Sequence, residues 1–82
     1  MVDQTEYLFQ QADMRSRVKK FMEMRGMTLA DMEGRTGLSR PTVLRARKDG
    51  QDGIETCTLR VLQKIATVLE LRVSDLFIDD AD

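Results

Sequence analysis

The stretch TGLSRPTVLRARK, Thr36–Lys48, sets a glycine, a serine, a proline and four cations within thirteen positions of an 82-residue chain whose net charge is −1. Gly37 suits a tight turn between helices, because glycine takes positive φ without a steric penalty. Ser39 reads as the N-cap of a following helix, and Pro41 falls in its first turn, where a missing N–H is not needed. The pattern predicts a helix from Ser39 to about Lys48. Within it Val43 and Ala46 face inward. Arg40, Thr42, Leu44, Arg45, Arg47 and Lys48 cannot all be buried, so this helix is mostly outward-facing.

Working towards the N-terminus, Thr28-Leu-Ala-Asp31 is a cap followed three residues later by an acid, which opens a short helix running to about Thr36. Before it, Met14 to Arg25 reads as a helix capped by Asp13, with Met14, Val18, Phe21 and Met22 on one stripe. Arg15, Lys19 and Lys20 then face water. Gly26 ends that helix and Met27 anchors the connection in the core. Towards the C-terminus, Asp49 to Cys57 is a loop by composition. Thr58 caps the clearest helical period in the chain, Leu59, Leu62, Ile65, Ala66 and Leu69. A last short turn of helix, Val73 to Ile78 with Ser74 as cap, brings Leu76 and Phe77 to close the core. Only Tyr7-Leu-Phe9 has a convincing period of two, so the body is expected to be all-α.

A chain of this size holds one domain, expected over residues 14–78, with an acidic and apolar extension at 1–13 and an acidic tail at 79–82. The apolar fraction of 41% with 33% charged residues fits a folded globular unit. No apolar run approaches the ~20 residues that span a bilayer, and the first residues lack the pattern of a signal peptide, so a cytoplasmic protein is expected. One cysteine, Cys57, and no histidine leave no disulfide and none of the common zinc ligand sets. The same lack removes most routes to acid–base or covalent catalysis. Neither an enzyme nor a cofactor is expected. Six methionines read as adaptable core filler, and Cys57 as a small residue near a helix start.

The net charge conceals an asymmetry. Residues 14–48 carry +7, the first thirteen −3 and residues 49–82 −5. A basic middle between acidic flanks suits a polyanion, although a solvated charged face has the same composition. Two short helices about a glycine turn, the second presenting basic side chains, form a helix-turn-helix arrangement. A helix of that kind fits the major groove of B-DNA, where arginine bonds bidentately to guanine O6 and N7. The plain alternative is a small helical bundle with a basic face.

The order of residues resembles the Cro/C1-type (XRE-like) helix-turn-helix repressors of phages and bacteria, over roughly Arg17 to Phe77. The resemblance lies in Gly26-Met-Thr28, in Met32 where an inward leucine is usual, in Gly37-Leu-Ser-Arg-Pro-Thr-Val43, and in Leu59-Arg-Val-Leu-Gln-Lys-Ile-Ala66 followed by Leu69, Leu71, Leu76 and Phe77. It implies a five-helix lambda-repressor-like domain, and a homodimer on an approximately palindromic operator in double-stranded DNA that controls transcription. Carried over residue by residue, it implies base contacts from Arg40, Pro41, Leu44 and Arg45. It implies backbone contacts from Thr28, Ser39, Thr42 and Lys48, to which Arg47 is added as a cation that departs from the family pattern and is free for solvent or phosphate. Proline at 41 has no side-chain donor and would shape specificity sterically.

Departures from the family pattern carry their own expectations. Glu33 stands where a small alanine is usual, and Leu29 where a polar residue often contacts phosphate. Arg47 occupies the place of a common glutamate and Met22 that of its arginine partner, so both halves of that ion pair are missing together, the tolerable way to lose it. A substitute pair between Glu33 and Arg47 is left open by the sequence. The 49–57 connection is longer than usual. Tyr7, Leu8 and Phe9 form an apolar cluster that is costly to expose, and its roles stay open: extending the first helix, pairing as a strand across a dimer, or binding another protein. A second reading follows, an antitoxin-like module that neutralises a protein partner and retains DNA binding for autoregulation.

Overall fold

The computed structural model describes residues 14–79. The chain runs β1 (Met14–Ser16), α1 (Val18–Met24), α2 (Leu29–Thr36), α3 (Arg40–Ala46), a 3-10 turn (Ile54–Thr56), α4 (Leu59–Leu69), a second 3-10 turn (Val73–Leu76) and β2 (Phe77–Asp79). The all-α, five-helix expectation is therefore corrected: among the described residues there are four α-helices, two 3-10 turns and a two-stranded antiparallel sheet, with Arg15 opposite Ile78 and Ser16 opposite Phe77.

The sheet accounts for two of the differences. Met14–Ser16 has helical spacing, yet it is held extended by long-range bonds that no local pattern encodes. The Arg17 amide donates to the Leu76 carbonyl at 2.7 Å and the Gly50 amide to the Met14 carbonyl at 2.8 Å. The Ser16 amide donates to Asp49 Oδ1 at 2.7 Å. The first helix thus starts at Val18 rather than Met14, and its expected cap, Asp13, lies outside the described residues. At the other end, the expected helical turn Val73–Ile78 stops at Leu76 and continues as β2. Ser74 is not its cap; the Arg72 amide instead donates to Asp75 Oδ2 at 3.0 Å. Tyr7, Leu8 and Phe9 also lie outside the described residues.

The central helices form where local chemistry places them. Thr28 and Asp31 make a reciprocal capping box, Asp31 N–H to Thr28 Oγ1 at 3.1 Å and Thr28 N–H to Asp31 Oδ2 at 2.9 Å. Gly37 ends α2 in the left-handed region, φ 77°, its amide donating to the Glu33 carbonyl at 2.8 Å. Thr58 Oγ1 accepts from the Val61 amide at 3.2 Å and starts α4. Glu70 ends it at φ 61°, a conformation strained for a side chain with Cβ.

The core is Val18, Met22, Met32, Val43, Ala46, Ile54, Leu62, Ile65, Ala66, Leu69 and Leu76, drawn from all four helices and both 3-10 turns. Each fully buried aliphatic side chain contributes roughly 1.5–3 kcal/mol relative to exposure. Met22 and Met32 are buried and Met14 and Met27 pack against the core, as core filler would, whereas Met24 is exposed. Two apolar residues depart from expectation. Leu59, assigned to the inward stripe of α4, is 60% exposed at the first position of that helix. Ile54, assigned to a loop, is buried. The 49–57 connection is thus partly core. α2 packs against both α3 and α4, and α3 rests on the 3-10 turn that holds Ile54.

Candidate nucleic-acid interface

The outward side of α3 is built by opposition. Val43 and Ala46 are fully buried, which leaves Arg40, Pro41, Leu44 and Arg45 exposed together. At 3.6 residues per turn those four positions occupy an arc of about 140° on the side away from the core. The structure therefore brings together every residue assigned to base contact. Leu44, 44% exposed, is an apolar side chain among cations that nothing in the core requires to be there. Its place suits contact with a methyl group rather than with water.

The residues assigned to the backbone are more dispersed in environment. Ser39 and Lys48 are exposed at the two ends of α3, and Thr42 and Arg47 are half-buried. Ser39 holds the N-cap position of α3, but its hydroxyl lies 2.9 Å from Thr42 Oγ1 and makes no capping bond to a backbone amide. The two hydroxyls therefore form one polar pair at the helix start. Thr28 sits at the N-terminus of α2, its oxygen already accepting from Asp31 N–H and its own amide bonded to the Asp31 carboxylate. The Thr28 amide, and after it the Thr28 hydroxyl, favour the charged carboxylate and hold the Asp31 carboxyl below the usual aspartate range. An anion thus stands beside Thr28.

Lys48 is anchored through its backbone. Its amide donates to the Arg45 carbonyl at 3.1 Å and its carbonyl accepts from Ile54 N–H at 2.8 Å, so the long connection folds back under the end of α3. Gly53 permits this: a Cβ there would collide with the Lys48 carbonyl oxygen. At the end of the same connection Cys57 is half-buried, which pushes its thiol up from the ordinary range, the Arg45 charge nearby acting in the opposite sense.

Glu33 pairs with Arg40, not with Arg47. Its Oε2 accepts from Arg40 Nε at 2.5 Å, across the turn that joins α2 to α3. The seven-residue separation hid this contact, since it depends on the angle between two helices. A further feature singled out by no motif is a surface groove of about 380 Å³ between α2 and α4, where Arg35, Arg60 and Lys64 stand beside Thr36 and Val68. At the two ends of α1, the Arg17 and Arg25 guanidiniums lie 4.9 and 5.8 Å from the Phe21 ring centroid.

Among the described residues no group of three or more His, Cys, Asp or Glu is placed to hold a metal, and no helix is long and apolar enough to cross a membrane. Two helices about a left-handed glycine, the second offering an exposed arc of two arginines, a proline and a leucine, define a helix-turn-helix DNA-binding domain.

The comparison with known proteins agrees. The family model for the Cro/C1-type HTH DNA-binding domain matches residues 17–82, and the chain belongs to that family. It is 36% identical over 67 residues to a protein of Archaeoglobus fulgidus described as an uncharacterized HTH-type transcriptional regulator, across 82% of this chain and 90% of that protein. No solved structure is significantly similar to it.

Proposed function

We propose that the protein is a sequence-specific transcriptional regulator, a repressor, that binds an approximately palindromic operator as a homodimer in the cytoplasm. In this reading α3 enters the major groove. Arg40 and Arg45 bond to base edges, Leu44 touches a thymine methyl and Pro41 limits which base fits beside it. Ser39, Thr42, Arg47 and Lys48 engage phosphates on either side, and Thr28 donates its hydroxyl to a phosphate at the start of α2. Occlusion of polymerase needs no catalytic group. The observation that carries the reading is the exposed arc of α3, with Val43 and Ala46 fixing the opposite side in the core.

Selection of bound duplexes from a random-sequence pool at near-physiological salt tests it. Enrichment of a two-fold motif, with half-sites about one helical turn apart, is the expected result. Recovery of unenriched DNA by the folded protein would reduce the basic helix to a backbone attraction.

A further inference from the structure

We propose that Glu33 is a positioning residue for DNA reading: its carboxylate holds the Arg40 guanidinium by Nε and aims the remaining fork at a base. The proposal rests on the assignment of Arg40 to a base edge. Glu33 lies near the end of α2, with 28% of its side chain exposed, and Arg40 at the first position of α3, with 52% exposed. Glu33 therefore fixes both sides of the turn. Its carbonyl accepts from the Gly37 amide, and its carboxylate accepts from Arg40.

Arginine offers five N–H donors in a planar fork. With Nε engaged by Glu33, the pair of donors on Nη1 and Nη2 is the fork left to meet guanine O6 and N7 end-on. A held side chain also has less rotamer freedom to lose when it binds, which favours the one base it fits over the alternatives. The charge acts in the same direction. A carboxylate beside a DNA-facing cation repels phosphate, so it weakens attachment to sequences where Arg40 finds no base partner.

The test uses the operator recovered by selection, a panel of its single base-pair changes, and a random duplex. Binding is measured for the full chain and for Arg40→Ala, Glu33→Ala, Glu33→Gln and the Glu33→Ala/Arg40→Ala double variant. Arg40→Ala is expected to erase preference at one base pair. Glu33→Ala should cut preference at that same pair about tenfold and raise affinity for the random duplex. Glu33→Gln, whose amide oxygen still accepts from Nε, should keep most of the preference while sharing the rise on random DNA. In the Arg40→Ala background, removing Glu33 should change no base preference. If Glu33→Ala leaves the preference intact while Arg40→Ala removes it, the positioning role is overturned and the Arg40 contact stands. A uniform loss at every base pair, with a lowered Tm, would assign Glu33 a structural role and likewise overturn it. If Arg40→Ala changes no preference, the base contact itself fails and the proposal with it.

Discussion

The Ser16 hydroxyl donates to the Ala46 carbonyl at 2.5 Å and accepts from the Val18 amide at 3.2 Å, so one side chain ties the first amide of α1 to the last carbonyl of α3. Ser16→Ala leaves both backbone groups without that partner in a half-buried place. Its unfolding free energy should fall by about 1–2 kcal/mol, read as a lower urea midpoint at unchanged slope. An unchanged midpoint would mean that water replaces the hydroxyl at no cost.

Arg45 and Lys48 separate reading from attraction. Arg45→Ala should cost about 1–3 kcal/mol on the selected operator and relax specificity at one base pair. Lys48→Ala should weaken all sequences alike and reduce the slope of log affinity against log salt by about 1. Titrations of both variants on operator and random DNA at several salt concentrations check this. Equal losses on random DNA would remove Arg45 from the reading role.

Two glycines should respond to alanine with opposite sign. Gly34 lies within α2 with open space where a Cβ would stand, so Gly34→Ala should stabilise the fold by about 0.5–1 kcal/mol. At Gly53 the new methyl meets the Lys48 backbone, which cannot swing aside as a flexible side chain would. Gly53→Ala should destabilise by about 1–3 kcal/mol. Thermal melts of the two variants decide it, and a neutral Gly53→Ala would mean the 49–57 connection shifts freely.

Asp31 gives an acid limb to stability. Its folded pKa is lowered by the Thr28 bonds, so its contribution is fully present above the unfolded value of about 3.9 and is lost as pH falls through the lower folded value. Asp31→Asn retains an acceptor for the Thr28 amide but does not titrate. The gap in urea midpoint between wild type and Asp31→Asn should therefore narrow as pH drops through that range. A gap constant with pH would contradict the assignment.

What was legible in the sequence is what short-range chemistry decides. The Thr28–Asp31 box, the Gly37 turn and the inward Val43 and Ala46 are interactions within four residues, and each lies where its residues predict. Long-range contacts were not legible. Arg40 was visible as an outward cation, but its partner was not, because residues 33 and 40 meet only after α2 and α3 have set their angle. Ile54 follows the same rule, since its burial depends on how the connection returns to Lys48.

By itself the sequence determined the helix-turn-helix, the arc of α3 that faces outward and the family to which the chain belongs. Spacing and caps act within a turn or two and need no distant partner. Only the tertiary structure decided that Met14–Ser16 is a strand, that Leu76 ends the last helical turn, and that Glu33 grips Arg40. In each case the deciding bond joins residues whose closeness exists only once the core has formed, and so it competes with local propensity and wins.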